Sequence, residues 1–138
     1  MSLRHSLGLA LLISLSACAT ADPSLTAAKL GGQPVSLLDQ QGQCAVRSAE
    51  QTLLLDMAWP CSLSPDRKGV ARVERFNGVP IVLVEQITPA AAPSHDCLKH
   101  AQAVRLHEGR LQASVLSRSA SCDRGVQDQK MFTGLFAW

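Results

Sequence analysis

Asn77-Gly78 lies between two runs of strand-forming residues, and no other feature of this chain limits its fold as much. A two-residue type I′ turn needs positive φ at both positions, and Asn followed by Gly meets that need with the least strain. Counting outward over residues 70–87 pairs Phe76 with Val79, Glu74 with Ile81, Val73 with Val82 and Ala71 with Val84. The returning run Ile81-Val82-Leu83-Val84 is apolar on both faces, whereas Arg72, Glu74 and Arg75 leave the outgoing run half-wet. A strand apolar on both faces has to be covered on both, by a second layer or by the wall of a barrel.

A second hairpin spans residues 101–115 around Glu108-Gly109, with Leu106 facing Leu111, Val104 facing Ala113 and Gln102 facing Val115. In that register the apolar residues share one face, Ala101 and Ala103 excepted. Arg105, His107, Arg110, Gln112 and Ser114 collect on the other. A slip of one residue would put Leu106 and Leu111 on opposite sides, so the pairing is well specified. Residues 52–57 predict a further strand after a turn at 48–51, and residues 131–138 predict a closing strand with Phe132, Phe136 and Trp138 on one face. With no long amphipathic helix, heptad or repeat, the expected fold is an all-β antiparallel sandwich or small barrel of about six to eight short strands.

Ahead of this domain stands a targeting signal. Arg4 and His5 precede an apolar stretch at 7–15 and small residues at Ser16 and Ala17, the layout of a secretory signal peptide. That stretch is about half the ~20 residues a membrane-crossing helix requires. Leu15-Ser16-Ala17-Cys18 resembles the lipobox of bacterial lipoproteins, in which the Cys sulfur is acylated and the peptidase cuts before it. The resemblance covers only the targeting segment. It implies a signal peptide at 1–17, a protein held on the bilayer through acylated Cys18, and, because Ala19 is not Asp, the periplasmic leaflet of the outer membrane. A competing cut after Ala19-Thr20-Ala21 would release a soluble protein beginning at Asp22. Residues 18–41 are rich in Ala, Thr, Ser, Gly and Pro and read as a lipidated N-terminus and flexible tether. The folded domain is then expected over 42–138.

Export places Cys44, Cys61, Cys97 and Cys122 in an oxidising compartment, where two disulfides are expected. The second hairpin selects the pairing. Cys97 lies 11 residues before Glu108 and Cys122 lies 13 after Gly109, so strand pairing brings these two together and leaves Cys44 for Cys61. Each loop closure stabilises by roughly 3 to 3.5 kcal/mol. His95, Cys97 and His100 also form a short zinc-like grouping, but a Cys97 sulfur committed to a disulfide leaves too few ligands, and no metal is expected. Trp59, beside Pro60 and Cys61, reads as an indole packed on a disulfide rather than as a recognition edge.

Composition narrows the function. Thirteen Lys and Arg against 11 Asp and Glu give a formal charge of +2, too small for binding nucleic acid by counterion release. The aromatics are Phe76, Phe132, Phe136, Trp59 and Trp138, with no Tyr, which under-supplies a ring-lined ligand cleft. No Gly-x-Ser-x-Gly elbow, phosphate loop or dinucleotide fingerprint occurs, so neither a catalytic site nor a cofactor is expected. Size, address and β-rich disulfide design are similar in type to lysozyme-inhibitor and immunity lipoproteins. The tyrosine-bearing inhibitory motif of one such family has no counterpart in a chain without Tyr. The expected function is a lipid-anchored binding or inhibitor module with a protein partner, contacted through Arg105, His107 and Arg110. A structural or assembly lipoprotein and an enzyme acting on cell-wall material are the alternatives.

Overall fold

The computed structural model describes residues 24–138. The expected signal peptide at 1–17, the expected acylation site Cys18 and the alternative cut after Ala21 lie outside them. Two antiparallel sheets and two disulfides make an all-β fold.

The first sheet is a meander of β1 (Ala27–Leu30), β2 (Gln33–Gln40), β3 (Gln43–Arg47) and β4 (Thr52–Ala58). Of the reading of 18–41 as a tether with the domain starting at 42, the strands at Ala27–Leu30 and Gln33–Gln40 correct the described part, and residues 18–23 lie outside the described residues. Leu30 is fully buried, and Val35 and Leu37 alternate inward along β2. The turns Gly31-Gly32 and Gln41-Gly42 have positive φ at both residues, as do Asn77-Gly78 and Glu108-Gly109. All four hairpins therefore use the primed geometry that matches strand twist, and the low apolar content before residue 42 reflects an outer face open to water.

The second sheet is built on two long strands, β7 (Val79–Pro89) and β8 (Cys97–His107), paired from Ile81 opposite Arg105 to Pro89 opposite Cys97. Each is flanked on its far side by two short strands. β6 (Glu74–Phe76) and β5 (Ser62–Leu63) share the edge of β7, while β9 (Arg110–Ala113) and β10 (Ser117–Ser119) share the edge of β8. The count is thus ten strands rather than about six to eight.

Both predicted hairpins hold near their turns and then diverge. Phe76 opposite Val79 and Glu74 opposite Ile81 are as expected, but Leu63 of β5, not Ala71, faces the Val84 region, and Ala71 bridges to Pro65 instead. Leu106 with Leu111 and Val104 with Ala113 are also as expected. Gln102 does not face Val115. Ser114 still donates its N–H to Ala103 O at 2.8 Å, but its hydroxyl rather than its carbonyl accepts from Ala103 N, which ends the regular ladder, and Ser117 becomes the partner of Ala101.

Between the sheets Val35, Leu37, Val46, Leu55 and Met57 meet Leu63, Val82, Val84, Val104 and Leu111. The Cys44–Cys61 bridge crosses this core, and Trp59 packs partly buried against it. Side-chain amides sew one seam of the sandwich. Gln51 accepts from Leu111 N and donates to Leu111 O at 2.9 and 3.0 Å, and Gln102 accepts from Asp56 N at 2.8 Å. Along the other seam, among the described residues, Leu63 N donates to Leu25 O at 2.7 Å.

The outer face of the second sheet carries a smaller apolar cluster of Ile81, Leu83, Ala101 and Ala103, plugged by Phe132. Its cover is the segment 120–138, stapled to β8 by Cys97–Cys122. The closing strand expected at 131–138 is not formed. Asp128 Oδ1 accepts from Lys130 N at 2.8 Å and starts one helical turn, α1 (Lys130–Thr133), which sends Phe132 inward and leaves Trp138 about half exposed. The apolar outer face around Ile81 and Leu83 takes up Phe132, so the segment crosses that face instead of adding a strand.

Candidate interaction surface

The sandwich has two distinct ends. At one, Gly31-Gly32 lies against the second sheet, since a Cβ on Gly31 would meet Leu106 Cδ2 at 3.5 Å and Pro80 Cγ at 3.6 Å. The turns Asn77-Gly78 and Glu108-Gly109 and residue Gln51, bonded to Leu111, lie at that same level. At the other end the chain comes in at Ser24, which lines a cleft of about 500 Å³ with Ser62, Glu85, Ile87 and Arg124. From the Val79 level to the Glu85–Ile87 level is six to eight residues along β7, about 20 to 25 Å.

The turn end carries a cluster of rings around one guanidinium. Arg105 Cζ lies 4.5 Å from the Phe136 ring centroid and 4.7 Å from that of Trp138, and its Nε donates to Gln112 Oε1 at 2.9 Å. Trp138 stands edge-on to Phe76 at 4.8 Å and to Phe136 at 5.6 Å. Phe76 is 38% exposed and Trp138 49%, although three aromatic rings would gain by full burial. Arg, Trp and Phe in mutual contact and open to solvent have the composition of a protein-binding hot spot rather than of ordinary surface.

The structure separates the roles of the three residues predicted to contact a partner. Arg105 is engaged, because its guanidinium holds the end of the C-terminal segment in place. His107 is half-buried, with Nε2 3.8 Å from Glu108 Oε1. Arg110 is exposed and forms no ion pair among the described residues. Sequence reasoning missed Phe76 and the junction of Trp138 with Arg105. The available signal was the crowding of aromatics into the last seven residues, which places Phe132, Phe136 and Trp138 within reach of one strand.

At the opposite end, Lys99 Nζ lies 2.7 Å from Glu85 Oε1, with both side chains only 4% exposed. The contact is an ion pair rather than an aligned hydrogen bond, since that oxygen has no hydrogen-bond partner among the described residues. Lys99 also donates to Asp123 O at 3.0 Å, so the pair ties down the segment beside Cys122. Burial pushes the Glu85 carboxyl above its ordinary value of 4.5, outweighing the Lys99 contact that would lower it.

His95 is exposed, Cys97 is in its disulfide, and His100 lines a hollow with Gly42, Asp56 and Gln86, so the short zinc-like grouping is not assembled. Among the described residues no three His, Cys, Asp or Glu side chains are placed to share a metal ion, and no helix is long and apolar enough to cross a membrane. A second hollow, lined by Ala27, Lys29, Pro34, Ser36 and Arg47, opens on the outer face of the first sheet. No family model, characterised protein or solved structure matches this chain.

Proposed function

We propose that the protein is a lipid-anchored binding module of the cell envelope, tethered through acylated Cys18 and engaging a protein partner by contact rather than by catalysis. The observation that supports it most is the polarity of the domain, with the chain arriving at one end and an exposed aromatic–guanidinium cluster at the other. Residues 18–23 span at most about 21 Å. A lipid on Cys18 therefore keeps the Ser24 end near the bilayer and leaves the turn end available to a partner in the periplasm. Two disulfides suit that compartment.

Labelling with a palmitate analogue, run on the full chain and on Cys18→Ala, tests the anchor. Label and membrane sedimentation are expected in the first and lost in the second; an unlabelled, freely soluble product that starts at Asp22 would overturn it. Chemical cross-linking of intact envelopes tests the module. A discrete heteromeric adduct of fixed stoichiometry is expected, and a chain that remains monomeric at its native level would count against binding.

A further inference from the structure

We infer that the turn end is the docking surface and that its occupant is an acidic segment of a protein in the same compartment. The inference rests on the binding-module reading and specifies its partner. Phe76 and Trp138 supply an exposed apolar centre, and the charge around them is of one dominant sign. Arg105 lies beneath the rings, Arg110 stands across the hairpin from His107, and Arg75 precedes Phe76 on β6, exposed at the rim on the alternate face. Glu108 is the acidic residue of that turn, and Glu74 is already paired to Arg72. A partner segment bearing carboxylates gains from the two outward guanidiniums of Arg110 and Arg75, while a basic one meets repulsion.

Arg105 also makes the centre rigid. With its guanidinium held between Phe136 and Trp138 and its Nε on Gln112, the indole is ordered before binding, which lowers the entropic cost of association. Arg105 is therefore a positioning residue, and Arg110, with the exposed Arg75 whose Nη1 makes only a 3.4 Å contact to Gly78 O, is left to meet carboxylates. The bilayer holding the anchor is a poor occupant, because the chain arrives at the opposite end of β7.

The test is a photo-reactive phenylalanine analogue placed one position at a time in the full chain, in intact envelopes. Positions 76 and 108 probe the turn end, position 41 the opposite end, and position 36 the hollow on the first sheet. The cross-linked peptide is then sequenced by mass spectrometry. The expected result is capture from 76 and 108 only, onto a peptide in which Asp and Glu outnumber Lys and Arg. Capture should fall roughly tenfold in Arg75→Glu/Arg110→Glu. Arg110→Gln, which cannot repel, should lose less, and both variants expose the altered side chain to solvent, so folding is checked simply by unchanged strand signal in circular dichroism.

A basic or neutral peptide, a lipid adduct, or capture unaffected by charge reversal would overturn the acidic occupant. Protein capture from 41 or 36 alone would overturn the turn-end surface while leaving a binding module in place. No protein adduct from any of the four positions would overturn the binding-module reading itself.

Discussion

The outer faces of the two sheets have opposite fates. The first sheet shows alternating burial, with β4 exposing every second residue and Leu54 half in water, and nothing from the described chain lies across it. On β7 of the second sheet residues 79–85 are buried without interruption, and the chain folds its last nineteen residues over them. The difference originates in composition. Alternation satisfies itself with one partner layer, whereas Ile81-Val82-Leu83-Val84 demands two, and the second has to be fetched from elsewhere in the sequence. A cover fetched in this way is held by few contacts, so this chain reinforces it with a disulfide at one end and a stacked guanidinium at the other.

The two disulfides give the sharpest contrast. Loop closure favours them almost equally, about 3.1 kcal/mol for the separation of 17 and about 3.5 for 25. Burial reverses the order. Cys44 and Cys61 lie inside the core, so Cys44→Ala/Cys61→Ala also leaves a cavity and should cost about 4 to 5 kcal/mol in urea unfolding. Cys97→Ala/Cys122→Ala should cost about 2 to 3 kcal/mol and raise amide exchange chiefly over 120–138. Under mild reductant the bridge at exposed Cys122 should open first. Equal costs, or prior loss of Cys44–Cys61, would break the distinction between core staple and cover staple.

On the faces themselves, Phe132→Ala should destabilise by about 3 to 4 kcal/mol, because a fully buried ring is removed from beneath the cover. Leu54→Ala, on the open face, should cost less than about 1 kcal/mol. If thermal unfolding gives similar losses, the first sheet has a cover of its own, such as a second copy of the chain.

The buried pair under the cover adds a pH signature. Because Glu85 titrates above 4.5 when folded, the native state holds its proton more tightly than the unfolded chain does. Its contribution is therefore greatest below about pH 4.5 and is lost as pH rises through the raised folded value. Lys99→Met strands a buried carboxylate and should cost about 3 kcal/mol at neutral pH, shrinking on acidification as Glu85 takes up a proton. Glu85→Gln/Lys99→Met should restore most of that loss and flatten this part of the pH profile. A single variant as stable as the double at pH 7 would remove the pair from the account of the cover.

Much of the layered architecture is legible in the residues. Asn77-Gly78 and Glu108-Gly109 fix their registers for the first few pairs, and with them the Cys97–Cys122 bridge. Gly31-Gly32 and Gln41-Gly42 carry the same turn chemistry, yet Pro34, Ser36 and Asp39 mask the alternation of Val35 and Leu37, so β1 and β2 read as linker. In residues 131–138, Phe132 and Phe136 are four apart, a spacing that fits a strand face and a helix face equally, and Asp128 decides between them. Beyond the crowding of Phe132, Phe136 and Trp138 nothing local marks the aromatic cluster, because Arg105 and Trp138 meet only after a disulfide and a buried pair have laid residues 120–138 across the sheet.

The smallest expected effect isolates that last meeting. Arg105→Ala removes a cation from between two rings at partly exposed positions, worth about 1 kcal/mol in global stability. The local consequence should be larger than the global one. Without Arg105, Trp138 keeps its indole bond to Thr133 O at 2.8 Å and its edge contacts with Phe136 and Phe76, and Phe136 keeps its packing on the cluster around Phe132, so amides at 135–138 should exchange several-fold faster while the Phe132 plug stays protected. Arg105→Lys keeps the charge but not the planar fork, and should recover little of the stacking. Full recovery by Lys would mean that charge alone seats the tip. Unchanged exchange in Arg105→Ala would mean that the rings and the Trp138–Thr133 bond hold residues 135–138 without Arg105.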